Sequence, residues 1–199
     1  MALARQKAWP RPWRREDWNA RPLLAGALFY LVVTVLAYFI PSHVLIKPGA
    51  AVVAFYGVMY GPLAGFGAGF LGALVMDLFF GSVWLHWNIA VGLIGLLSGL
   101  VWMYSDIDQS GALRWRQAAS VAAVTALASA LAMLAAGTVD LLLGAPANTA
   151  LSEWAVPAAV AHAVFAAVGT PLLLWAAKRP RSSSGWPLKW PGSTSRAER

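Results

Sequence analysis

Residues 60–77 read Tyr60-Gly-Pro-Leu-Ala-Gly-Phe-Gly-Ala-Gly-Phe-Leu-Gly-Ala-Leu-Val-Met-Asp77, and up to Met76 they close a run without charge that begins at residue 48. The run is too long for one helix and too apolar for the surface of a soluble domain. Gly61-Pro62 divides it, because glycine takes backbone angles that other residues avoid and proline fits the first turn of a helix but not its interior. The spacing predicts a short helix over 49–60 and a longer one over 63–80, with Asp77 inside the second. A carboxylate at that depth is costly unless it meets a partner or a wet cavity.

The same kind of segment recurs on both sides. Apolar runs over 23–40, 88–104, 117–138 and 154–177 each meet or approach the roughly 20 residues needed to cross the hydrocarbon of a bilayer. Across all 199 residues, 59% are hydrophobic and only 12% charged, about half the charged share of an ordinary soluble domain. The chain reads as an all-α integral membrane protein with six transmembrane helices. The absence of cysteine excludes disulfide scaffolds, thiol catalysis and Cys-ligated metal sites.

Fourteen of the 15 Lys and Arg residues lie before residue 22, between 105 and 116, or from 178 onward, and Lys47 alone lies between the first two apolar runs. This asymmetry predicts that both termini are cytoplasmic (N-in, C-in) in the cell membrane. It also accounts for the net charge of +7 without nucleic acid. The first run lies between Pro22 and Pro41 without a small-residue cleavage site and reads as a retained helix, not a signal peptide. The expected organisation is a basic arm over 1–21, a six-helix membrane domain over 22–177, and a flexible cytoplasmic tail over 178–199, rich in Ser, Pro and Gly.

No nucleophile elbow, HExxH, P-loop or DxD-type motif occurs, and His43, His86 and His162 lack metal-ligand spacing. Neither a cofactor nor a metal is expected. The chemistry-bearing residues gather instead near one mouth of the expected bundle. Asp77 is either paired inside the bundle, for example with Lys47 or a helix N-terminus, or in contact with a ligand. Trp84, His86, Trp87 and Asn88 fall within five positions; the tryptophans suit interfacial anchoring, and the set suits a planar heterocycle held by stacking and hydrogen bonds. A connection over 139–153, with Asp140 and Glu153 and followed by Trp154, is either a solvated connector or a lid. The acidic residues favour a ring with amino donors, whereas Lys47 favours an anionic ligand group.

Small residues recur every four positions at Gly61, Gly65, Gly69 and Ala73, and at Ala118, Ala122, Ala126 and Ala130. Such strips let helix backbones approach closely in lipid. They pack the bundle internally or offer a docking face, with Gly65, Gly69, Ala122 and Ala126 as its residues.

The segment from Ile40 to Leu100 combines a short polar loop, a brief helix, the Gly61-Pro-Leu-Ala-Gly65 turn with its small-residue helix, and a Gly-rich fourth helix ending Gly95-Leu-Leu-Ser-Gly-Leu100. This resembles the substrate-binding S components of energy-coupling factor (ECF) vitamin transporters. The resemblance implies capture of a vitamin-like small molecule at the outer face, in loops that correspond here to 41–48, 81–88 and 139–153. It also implies partnership with a transmembrane T component and two cytoplasmic ATPases. The Ala-x-x-x-Ala spacing found in the first helix of many S components is not formed here, since Ala25, Gly26 and Ala27 are followed four positions on by Phe29, Tyr30 and Leu31. Two readings from other classes remain beside it: a membrane enzyme acting on lipid or isoprenoid through Asp77, His86 and His162, and a structural membrane subunit with no ligand.

Overall fold

The computed structural model describes residues 20–41, 45–103 and 113–178. The expected basic arm, most of the 105–116 loop and the tail after Lys178 lie outside these residues. Six helices follow in order: α1 (Ala20–Tyr38), α2 (Pro48–Tyr60), α3 (Pro62–Phe80), α4 (Leu85–Gly99), α5 (Trp115–Leu142) and α6 (Val156–Lys178). A 3-10 turn, Leu100–Met103, extends α4, and a π-helical segment, Asn148–Ala155, leads into α6. No strand occurs among the described residues.

Gly61 separates α2 from α3 as the sequence requires. It sits at φ 99°, a conformation closed to most L-residues, and Pro62 opens α3. The α3, α1 and α5 helices, and the stretch from Asn148 through α6, are long and apolar enough to cross a membrane. Helices α2 and α4 have only 13 and 15 residues. They hold their place by being enclosed: α2 packs against α1, α3, α4 and α6, and its residues from Gly49 to Ala54 are all buried. The exposed side chains of the longer helices are large and apolar, including Leu28, Leu78, Leu131 and Leu172. That pattern suits lipid as the surrounding solvent.

Close backbone packing joins α3 to α4. A Cβ on Gly65 would lie 2.6 Å from the Gly57 Cα and 2.7 Å from the Gly95 carbonyl oxygen, and one on Gly69 would lie 2.6 Å from the Val91 oxygen. Gly65 and Gly69 are therefore buried between α2, α3 and α4, and their strip is accounted for by packing inside the bundle. Ala122 and Ala126 are half-buried on a flank of α5.

Two expectations are corrected at the mouth of the bundle. Helix α4 begins at Leu85, not residue 88, so His86 and Trp87 join Asn88 in its first turn and do not lie in a loop. Helix α5 runs four residues past Thr138, which places Asp140 in its last turn with 3% of its surface exposed, not in a solvated connector. The rest of 139–153 is also ordered: Gly144, at φ 94°, turns the chain, and Asn148 then starts the π-helical segment.

Candidate functional site

Two helix C-termini aim carboxylates at one helix N-terminus. Asp77 occupies the last turn of α3, where its backbone oxygen accepts the Ser82 N–H at 3.1 Å. Asp140 occupies the equivalent place in α5, its backbone oxygen accepting the Ala145 N–H at 3.0 Å. A carboxylate at a helix C-terminus opposes the helix dipole, so each needs donors from elsewhere. The first turn of α4, at the positive end of that helix, supplies them.

Asp77 Oδ2 accepts the backbone N–H of Trp84 at 2.7 Å and the Asn88 Nδ2 at 2.9 Å. Asp140 takes the other side of the turn: His86 Nε2 donates to Oδ1 at 2.8 Å, and Trp87 Nε1 donates to Oδ2 at 3.0 Å. With Nε2 donating in that bond, Nδ1 is the ring nitrogen left for another partner. Four groups, from Trp84, His86, Trp87 and Asn88, are thus oriented by two acids from two other helices.

Above this turn lies an aromatic cleft of about 430 Å³, lined by Asp77, Trp84, Trp87 and Trp154. The Trp84 and Trp154 rings stand 6.2 Å apart at 77°, and Trp84 lies 6.3 Å from His86. Trp84 and Trp154 remain 47% and 39% exposed, so substantial indole surface stays available for a further ring. A volume of this size falls within the range of small-molecule sites.

Below it lies an inner cavity of about 180 Å³. Asp77 and Trp87 line both spaces. The inner cavity also reaches Lys47, which directly precedes α2, together with Asn88 on α4 and His162 on α6. His162 Nδ1 donates to the Ala158 oxygen at 2.8 Å. Lys47 makes no salt bridge among the described residues, and burial lowers its ammonium pKa from the ordinary value.

The residues expected from sequence are thus divided among several places. Trp84, Trp87, Trp154 and Asp77 converge on the cleft, whereas Lys47 and Asn88 meet in the inner cavity beneath it. His86 and Asp140 line neither space and support Trp87 from behind. Glu153 is exposed and accepts the Asn148 Nδ2 at 3.0 Å, away from both spaces. Sequence reasoning missed Tyr30 and Thr34 of α1, which line the inner cavity. Their spacing of four, with a hydroxyl on each, was the available signal, since residues so spaced share a helix face. Among the described residues, no group of three or more His, Cys, Asp or Glu side chains comes together as a metal site.

Comparison with known proteins adds a family. The family model described as "ECF-type riboflavin transporter, S component" matches residues 19–179. A UPF0397 protein of Vibrio atlanticus is 30% identical over 163 residues, covering 79% of this chain and 90% of that protein. One from Lactobacillus delbrueckii subsp. bulgaricus is 30% identical over 179 residues, covering 86% and 95%. A UPF0397 protein of Aliivibrio fischeri is 41% identical over 78 residues, but that match spans only 38% of this chain and 43% of the relative. No solved structure matches the chain.

Proposed function

The chain belongs to the family of ECF-type riboflavin transporter S components, and from that premise we propose that it binds a small, vitamin-like aromatic compound at the outer face of the cell membrane for uptake. The coarser part of this statement, a membrane-embedded substrate-binding subunit of an ECF transporter, follows from family membership. The aromatic substrate rests on one observation: the cleft in which Trp84, Trp87 and Trp154 surround open space beside Asp77. Indole faces stack on planar rings, and a carboxylate at the edge takes a ring amino or imide N–H.

Outward placement of the cleft is supported by the charge asymmetry, because the mouth that contains it carries Lys47 alone of the 15 cations. Cysteine labelling reads this directly: Asn148→Cys reacts from outside and Arg116→Cys from inside. Energy for uphill transport comes, on this reading, from a transmembrane T component and two cytoplasmic ATPases, since the chain has no nucleotide motif of its own. With Gly65 and Gly69 committed to internal packing, the Ala122 and Ala126 flank of α5 is the docking candidate.

The test uses liposomes containing the chain, with and without the T component and ATPases, with Mg-ATP inside and riboflavin outside as the first probe. Uptake only in the full complex supports the proposal. Concentrative uptake by the chain alone under an ion gradient contradicts it.

A further inference from the structure

Resting on the reading just given, we propose that the inner cavity is a subsite for a small oxyanion, a carboxylate or phosphate group carried by the substrate and held by the Lys47 ammonium at the start of α2. The cavity brings groups of opposite charge to one space. Lys47, Gly49 and Ala50, at the beginning of α2, line it together with Asp77 and Asn88. A helix N-terminus presents unsatisfied backbone N–H groups and the positive end of the helix dipole. Lys47 adds a full charge to that end.

Among the described residues, the charge at Lys47 meets no salt-bridge partner. Removing an ammonium from water without a counter-charge is costly, and proteins normally pair it. Asp77, the acid that shares the cavity, forms no salt bridge with it and already accepts hydrogen bonds from Trp84 and Asn88. A ligand oxyanion supplies the missing partner. His162, with Nδ1 committed to the Ala158 oxygen, offers Nε2 of its neutral ring as an acceptor for a hydroxyl beside the anion.

Lining residues shared with the aromatic cleft make this a subsite, not a separate pocket. Asp77 and Trp87 line both spaces, so one molecule can place its ring above them and its acidic group below. The substrate class narrows to a planar ring compound bearing a carboxylate or phosphate, which excludes a neutral ring compound as the best ligand.

Two measurements on the full chain in detergent micelles test the subsite. The first follows acetylation of Lys47 by peptide mass spectrometry, in inorganic phosphate and in chloride at equal pH and ionic strength. Bound phosphate slows the reaction about threefold or more, in wild type and Trp84→Ala alike, because protection follows occupancy and the oxyanion does not need the outer cleft. Equal rates in the two salts overturn the proposal.

The second compares riboflavin with riboflavin 5′-phosphate, which share a ring and differ by a phosphate. The phosphate ester binds wild type about tenfold more tightly, and Lys47→Gln, lying outside the helices, abolishes the difference while keeping the melting temperature. A preference for riboflavin, or a phosphate preference that survives in Lys47→Gln, overturns the proposal. Failure of both flavins to bind counts against the flavin-like ring of the functional reading, and the protection experiment then decides the subsite alone.

Discussion

The Trp87 indole and the Asp140 carboxylate, carried by α4 and α5, are joined by a hydrogen bond of 3.0 Å from Nε1 to Oδ2. The other carboxylate oxygen holds His86 at 2.8 Å. The ring that lines both the cleft and the inner cavity is therefore set by the end of a different helix. Asp140 is a positioning residue in this arrangement, touching neither space itself.

Asp140→Asn keeps one acceptor and turns the other into a donor facing a donor. With Asp140 only 3% exposed, the unsatisfied contact is expected to lower stability by about 1–3 kcal/mol. Ligand affinity falls with it as Trp87 loses its fixed orientation. Thermal unfolding in micelles and ligand titration check both, and unchanged values in the variant would make the contact idle.

Trp84→Ala and Trp154→Ala behave differently from Asp140→Asn. Both side chains are more than a third exposed, so the melting temperature changes little. Loss of one stacking face weakens binding of a ring compound by about 1–3 kcal/mol. Wild-type affinity in both variants would mean that these tryptophans only anchor the bundle at the interface.

The two small-residue strips separate by substitution. Gly65→Leu forces a side chain against the Gly57 Cα and the Gly95 carbonyl, and is expected to abolish folding, binding and uptake together. Ala122→Leu, on a half-buried flank, leaves binding intact and lowers uptake if that flank docks the T component. Binding in detergent and uptake in liposomes distinguish these outcomes.

Binding of an oxyanion is pH-dependent with a defined sign. Burial holds the Lys47 ammonium below the ordinary 10.5, so in the folded chain it loses its proton at lower pH than in the unfolded chain. The cost to stability is present at pH below that lowered value and is relieved as pH rises through it. Affinity for riboflavin 5′-phosphate runs the other way and falls over the same range as the positive charge disappears. Asp77, His162 and Tyr30 also line the cavity. Lys47→Arg separates their contribution, because guanidinium stays charged and affinity then holds at alkaline pH.

The helices were legible where composition and punctuation agreed. Gly61-Pro62 marked the break between α2 and α3, and Gly81 ended α3 in a left-handed conformation at φ 80°. The C-terminal end of α5 was not legible, because Asp140 looks like a loop residue until its partners are known. His86 and Trp87 donate hydrogen bonds to it from positions more than 50 residues earlier, and such pairing leaves no local trace. The start of α4 was missed for a related reason: its N-terminal turn has no Ser, Thr or Asp cap of its own, and Asp77 of α3 accepts the Trp84 N–H instead. Trp84 and Trp87 were visible as a cluster, but their convergence with Trp154 depends on how the π-helical segment folds back over the mouth.

Native mass spectrometry of the chain purified from its own membranes tests the central claim most directly. The account predicts one small aromatic molecule with an acidic group bound per chain, retained by wild type and lost from the Trp84→Ala/Trp154→Ala double variant while that variant stays folded. A wild-type chain without any bound small molecule, or an adduct kept equally by the double variant, would contradict it.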